Sequence, residues 1–307
     1  MSRIHEALKK AEQERAAIQA AEGSSAPTEK VAVAIASPSG IPAVPIEGAN
    51  TVSNARYLRF NDLLATCSQP HWHFDPNADV FGSDEHAVGA EQFRTLRSRL
   101  YQLRGAQPLR TILVTSSVPA EGKTFVTNNL AQAIVRQPDR RALMIDADLR
   151  CSRLHVPLGA PAAPGLTDYL KGEADEMAVI QHGDGGNLCF IPGGNEVSNP
   201  SELIANGRLK TLFERVIPVF DWVIIDSPPC LPVHDASMLA EMCDGVLLVV
   251  RAGSTPSEVA QRACQELQDK RMIGVILNAV EQSHAYGSYY YQQYGYGHGI
   301  PREGANR

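Results

Sequence analysis

The sequence predicts a doubly wound α/β domain built on a mainly parallel sheet. Two observations carry that reading. Six short, evenly apolar runs recur between residues 111 and 280, and helix-length segments separate them. The runs are TILVTSS (111–117), ALMIDAD (142–148), LCFIPGG (188–194), WVIIDSPP (222–229), GVLLVVR (245–251) and GVILNAV (274–280). Each is too short for a buried helix and too uniform for a sheet with one wet face, so buried parallel strands fit. Stretches such as 122–136 and 201–216 carry helical periodicity and supply the crossovers. Ligands then belong at the carboxyl ends of the strands.

In chain order, residues 1–22 read as an N-terminal helix, with Ile4, Leu8, Ala11 and Ile18 near one face. Arg15 interrupts that stripe, and such a helix is marginal alone. Residues 23–84 read as a linker or poorly ordered segment. Prolines at 27, 38, 42 and 45 stand there among Ala, Ser and Gly, although 55–84 is ambiguous in itself. His71, His73 and Asp75 lack the further ligands that a metal site needs. The compact domain is predicted over 85–280, opening on a polar-faced helical stretch at 85–104. Residues 281–307 form a flexible tail.

Composition narrows the function classes. Hydrophobic residues make up 44% of the 307 and charged residues 20%, which excludes a wholly disordered or collagen-like chain. A net charge of −6 gives no global attraction for nucleic acid. No run of 18 apolar residues occurs, and the first twenty residues do not read as a secretory signal. Six cysteines without a C-x-x-C read as small packing residues in a reducing compartment. The expected location is cytoplasmic.

The end of the first apolar run is the most informative segment. Ser117-Val-Pro-Ala120-Glu121-Gly122-Lys123-Thr124 follows a strand and opens a helix, as the phosphate-binding rule G-x-x-x-x-G-K-[ST] requires. Ser117 stands in place of the first glycine, yet the loop amides still face an anion. Lys123 supplies a positive charge and Thr124 a hydroxyl for Mg²⁺. Asp146 and Asp148 end the second run at i, i+2, and Asp226 ends the fourth. Acids at those strand ends beside a triphosphate are what a metal ion needs. The residues describe a Mg-nucleotide site on a P-loop NTPase fold.

These motifs resemble the bacterial tyrosine kinase family, P-loop autokinases of capsule and exopolysaccharide assembly. The matching segments are SVPAEGKT (117–124), LMIDAD (143–148) and VIIDSPP (223–229), within a resemblance covering roughly 80–300. Pro192-Gly-Gly, Asn199-Pro-Ser-Glu-Leu203 and the E-x-x-R-x-x-R element of Glu91, Arg94 and Arg97 extend it. The resemblance implies the deviant Walker A loop shared with MinD and ParA proteins, ATP and Mg²⁺ as ligands, and association into a ring through Glu91, Arg94 and Arg97. It implies catalytic roles for Lys123, Asp146 and Asp148, with Asp146 as base for the incoming tyrosine hydroxyl. Thr124, Asp148 and Asp226 would hold the metal. Ser117, Ala120, Glu121, Gly122, Lys123, Thr124, Phe125 and Asn278 would meet the nucleotide, Asn278 at the adenine edge. The implied partners are a transmembrane polysaccharide co-polymerase acting as activator, which would recruit the chain to the inner face of the plasma membrane, and a cognate tyrosine phosphatase.

The tail becomes readable in that light. Tyr286, Tyr289, Tyr290, Tyr291, Tyr294 and Tyr296 place six of nine tyrosines within eleven residues, where even spreading would give about 0.3. They resemble the family's autophosphorylation cluster. Three departures stand out: Ala120 replaces a glycine common in the loop and limits φ there, Cys151-Ser follows Arg150 where Lys-Pro is frequent, and no membrane span is present. The rival readings are a ParA/MinD-like switch ATPase without kinase activity and a nucleotide-binding scaffold with a degenerate site. Valine at 118, where the switch class often has a second lysine, argues against the first.

Overall fold

The structure is a computed structural model that describes residues 59–82 and 88–280. Helix α1 (Phe60–Thr66) and helix α2 (Val88–Ala106) precede strand β1 (Thr111–Ser116) and helix α3 (Lys123–Val135). Strand β2 (Ala142–Asp146) follows, then three short helices, α4 (His155–Leu158), α5 (Leu166–Lys171) and α6 (Glu176–Val179). Strands β3 (Gln181–His182) and β4 (Leu188–Ile191) lead to helices α7 (Pro200–Ala205) and α8 (Arg208–Val216). The chain closes with β5 (Trp222–Asp226), α9 (Asp235–Ala240), β6 (Gly245–Arg251), α10 (Ser257–Glu266) and β7 (Met272–Asn278).

The seven strands form one sheet in the order β3-β4-β2-β5-β1-β6-β7. Every described pairing is parallel except the short β3–β4 ladder. β1, β2, β4 and β5 are buried along their whole length because both faces of the sheet are covered. Successive side chains point to opposite faces. Leu143, Ile145, Val223 and Ile225 therefore join one core with α5, α8 and α9, while Met144, Trp222 and Ile224 join the other with α2 and α3. That double covering produces the evenly apolar runs in the sequence.

The doubly wound class is found as expected, with differences at several boundaries. The segment read as one helix over 201–216 is two, broken at Asn206-Gly207, where Gly207 takes φ +79°. The last strand begins at Met272 rather than 274, and the two-residue β3 carries too little pattern to be read from sequence.

A larger correction concerns the linker assigned to 23–84, because residues 59–82 are folded onto the domain. Phe60 and Leu63 enter the first core, where Phe60 meets Phe220 edge-on at 5.7 Å. Trp72 and Phe81 enter the second. Asn129 of α3 fixes the segment in both directions, accepting from the Val80 amide at 2.9 Å and donating to the Ala78 carbonyl at 2.8 Å. The predicted helix at 1–22 and the tail at 281–307 lie outside the described residues.

Candidate active site

Strand order assembles the site. β5 lies between β1 and β2, so the loop after β1 and the acids ending β2 and β5 share one rim. Asp146 and Asp226 stand opposite each other in register.

The loop itself is braced from three directions. Glu121 is only 2% exposed, and its carboxylate accepts from the Val118 amide at 2.8 Å and the Thr255 hydroxyl at 2.5 Å. Asn278, at the end of β7, donates its amide to the Glu121 carbonyl at 2.9 Å. Arg251 donates to the Ala120 carbonyl at 3.2 Å. Glu121 and Asn278, expected at the nucleotide, thus spend these groups on holding the loop. Gly122 caps α3 at φ +96°, and a Cβ there would stand 2.0 Å from Asn278 Nδ2.

Ala120 corrects a sequence expectation. It was expected to limit φ, yet it adopts φ +65°, in the left-handed region. That conformation costs a non-glycine residue ~1–2 kcal/mol, partly offset by the smaller freedom of alanine in the unfolded chain. Ala120→Gly is therefore expected to stabilise by about 0.5–1 kcal/mol, readable as a higher melting temperature. A lower one would contradict the strain.

Lys123, Thr124, Asp148 and Asp226 come together as expected. Lys123 Nζ is 3.1 Å from Asp148 Oδ2, and both side chains are largely buried. The Thr124 hydroxyl donates to Asp226 Oδ2 at 2.6 Å, while Asp226 Oδ1 is buried without a partner. Burial alone would lower the Lys123 pKa, but Asp226, Asp148 and Asp146 more than offset it and hold it above the usual lysine value. Burial pushes Asp226 up to about 8, against the opposing pull of Lys123, and Asp146 to about 6.

An acid whose folded pKa is raised contributes stability that is lost as pH rises through that value. In metal- and nucleotide-free protein, Asp226→Asn is expected to melt higher than the parent at pH 8. That advantage shrinks toward pH 5, where the parent carboxyl is already neutral. An advantage independent of pH would refute the assignment.

Asp146, the expected base, is held by its own loop in the ligand-free site. It is fully buried, its Oδ2 accepts from the Ser152 hydroxyl at 2.8 Å and the Leu154 amide at 2.9 Å, and its Oδ1 from the Asp148 amide at 3.2 Å. Its oxygens shape the 147–154 loop. Phe125 also turns inward, edge-on to Phe93 at 6.0 Å. The Ser117 hydroxyl is buried and unpartnered at the base of the loop.

On α2, Arg94 pairs with Glu91 at 2.5 Å, but Arg97 turns toward the domain and donates to the Ala133 carbonyl at 2.5 Å. It closes the last turn of α3, and burial lowers its pKa. The charged surface expected from Glu91, Arg94 and Arg97 therefore loses its third member. Arg97→Ala is expected to lower stability by about 1 kcal/mol, measured by chemical denaturation.

A network not anticipated from sequence holds the acid loop from the side. Arg150 donates to Asp235 at 2.7 Å and to the Ser201 hydroxyl at 2.9 Å, and that hydroxyl donates to Asp235 at 2.5 Å. Asp235 is 1% exposed. Burial would raise its pKa, but its bonds to Arg150 and Ser201 lower it overall. The only sequence signal was the Asn199-Pro-Ser run, which carried no assigned role.

Two cavities adjoin the loop. One of 520 Å³ opens over Gly122, Lys123, Thr124, Asp148, Pro228 and Pro229. The other, of 880 Å³, lies between Val118–Glu121 and the segment from Arg251 to Pro256, with Leu277 in its wall. Both volumes suit a ligand of nucleotide size. Among the described residues no helix is long and apolar enough to cross a membrane.

Comparison with known proteins meets this geometry. No protein-family model matches the chain. The tyrosine-protein kinase YwqD of Bacillus subtilis is 30% identical over 211 residues, covering 68% of this chain and 89% of that protein. The tyrosine-protein kinase Etk of Escherichia coli K12 is 35% identical over 211 residues, which is 68% of this chain but only 29% of that longer protein. The solved kinase domain of Escherichia coli Etk superposes with a TM-score of 0.62 at 32% identity, over 67% of this chain and 82% of that one. With a sheet that brings Lys123, Thr124, Asp148 and Asp226 to one rim, and with a relative matched over nearly its full length, this chain belongs to the bacterial tyrosine-protein kinases.

Proposed function

We propose that this chain is an ATP-dependent protein-tyrosine autokinase that phosphorylates its own tyrosine cluster, Tyr286 to Tyr296, and thereby regulates exopolysaccharide or capsule production. The observation that carries the reading is the buried convergence of Lys123, Thr124, Asp148 and Asp226 at one end of the sheet. The switch-ATPase reading has no corresponding second lysine at Val118.

The donor set fits Mg²⁺. Thr124 and Asp226 offer hard oxygen donors, and Asp226 Oδ1 is buried with no partner of its own. Asp148 stands beside them and would act on the metal through its waters. Among the described residues no group of three or more His, Cys, Asp or Glu side chains could hold a metal by itself. Substrate phosphate and water oxygens would complete the shell. Bound there, Mg²⁺ supplies neutralisation of phosphate charge.

Phosphoryl transfer then depends on positioning by this chain's own residues. Lys123 exchanges its Asp148 partner for the β and γ phosphate oxygens of ATP, and the loop amides hold the same phosphates. That exchange releases Asp148 Oδ2 at the cavity, where it accepts the phenol proton as the tyrosine oxygen bonds to phosphorus. The bond between the γ phosphorus and its bridging oxygen breaks, and ADP leaves. Asp148 takes this role in preference to Asp146 because its Oδ2 is held by Lys123 alone, with Oδ1 accepting from the Cys151 amide, whereas both Asp146 oxygens serve the loop. Asn278 keeps Oδ1 for the adenine edge.

An activating membrane co-polymerase, a ring of subunits and a cognate phosphatase are parts of the same proposal. Arg94 remains on α2 as the ring contact, with Glu91 beside it. The test is phosphotyrosine mapping by mass spectrometry after incubation with Mg-ATP, alongside a 1–285 truncation. Phosphate on residues 286–296 is expected. ATP hydrolysis without phosphotyrosine, even with an activator's cytoplasmic segment present, would replace the kinase reading with the switch ATPase.

A further inference from the structure

A third cavity, of 360 Å³, adjoins the nucleotide rim at the carboxyl ends of β2 and β4. Its walls include Arg150, Arg153, His155 and the Gly193–Asn195 turn. Glu196 is the one acid among its lining residues. Arg150 is tied down by Asp235 and Ser201 and so presents a fixed guanidinium. Arg153 is exposed, and its side chain has no hydrogen bond or ion pair with the described residues. Arg150, Cys151 and Arg153 also line the cavity over Lys123, so one wall separates the two spaces.

A pocket with two arginines, one of them unengaged, selects a dianion with planar donors matched to its oxygens. Phosphate on an aromatic ring supplies such an anion, with about −1.5 to −2 charge at neutral pH. The tail carries no acidic residue between Tyr286 and Tyr296, so before reaction it offers nothing to this pocket. After one transfer it does. Neighbouring tail tyrosines two or three residues apart span about 7–10 Å when extended, a reach suited to adjoining cavities.

We propose that this cavity is a phosphotyrosine site, which holds a tail tyrosine already phosphorylated while a neighbouring tyrosine enters the Lys123 cavity. The inference rests on the autokinase reading and adds the order of events: the first phosphate recruits the tail for the next. Unphosphorylated tail binds through the Lys123 cavity alone, and phosphorylated tail through both.

The test uses the full chain, dephosphorylated beforehand and saturated with Mg²⁺ and a non-hydrolysable ATP analogue. Two labelled peptides of residues 286–297 are titrated by fluorescence anisotropy, one unmodified and one phosphorylated at Tyr291. The phosphopeptide is expected to bind about tenfold tighter. Arg153→Ala should erase that preference, Arg153→Lys keep part of it, and Arg153→Glu reverse it. Arg153 is exposed, so these variants should keep the parent's circular dichroism, and the Lys variant separates charge from folding. Equal affinities in the parent would overturn the site, as would a preference that survives Arg153→Ala. Displacement of the phosphopeptide by equimolar inorganic phosphate would reduce it to a general anion pocket and overturn the tail assignment. A chain that makes phosphotyrosine but shows no preference sinks only this inference. A chain that prefers the phosphopeptide but makes no phosphotyrosine sinks the autokinase and the order of events built on it, and leaves only a phosphotyrosine pocket.

Discussion

Lys123→Met should cut phosphotyrosine formation by about 10²–10³-fold or more, the usual cost of removing one donor aimed at developing charge. The effect is larger than loss of a single contact. Lys123 lies among Asp146, Asp148 and Asp226, and methionine would leave those carboxylates facing each other without a cation. The burial-driven rise in the Asp226 pKa, which Lys123 opposes, would then grow. ATP binding should weaken with it, because triphosphate would meet uncompensated acids. Mass spectrometry on the variant with Mg-ATP reads the first effect, and equilibrium dialysis of nucleotide the second. Phosphotyrosine near the parent level would remove Lys123 from the reaction.

Gly122→Ala is expected to have the next largest effect, for a reason of shape. At φ +96° a side chain costs ~1–2 kcal/mol of backbone strain, and the new Cβ meets Asn278 Nδ2 at 2.0 Å. Relief requires Asn278 to give up the Glu121 carbonyl, which loosens the loop just before Lys123. Nucleotide affinity should fall about tenfold or more, since ~1.4 kcal/mol of misplacement is already one decade. The sheet should persist, because the core strands make no use of residue 122. Calorimetric titration with Mg-ADP checks the affinity, and an affinity equal to the parent's would mean that the loop absorbs the methyl without moving.

Much of this site is legible in the sequence. Strands buried on both faces write themselves as apolar runs, so β2 and β5 and the acids at their ends could be placed from Met144 to Asp148 and from Val223 to Asp226. The G-K-T turn fixed the start of α3 for the same reason: the order strand, glycine, lysine is local in sequence.

What stayed hidden depends on which atom a side chain spends on which neighbour. Asp146 and Asp148 look alike in the sequence, and only their bonds separate them: both Asp146 oxygens serve its own loop, while Asp148 gives one oxygen to the Cys151 amide and the other to Lys123. Arg94 and Arg97 look alike too, until Arg97 is found on the Ala133 carbonyl. Asp235 carried no signal because its partners, Arg150 and Ser201, are 85 and 34 residues away. Residues 59–82 failed to declare themselves for a related reason. Phe60, Leu63, Trp72 and Phe81 share no period, and each is buried by a distant element rather than by its own.

That segment sets how the chain divides. A fragment begun at residue 85, where composition changes, would strip four large side chains from two cores and leave their seats on the sheet exposed to water. It would also free Asn129, which holds the Val80 amide and the Ala78 carbonyl from the middle of the nucleotide-binding helix. A self-sufficient piece therefore keeps residues 59–82, and anything that tugs on Ala78 or Val80 pulls on the helix that begins at Lys123.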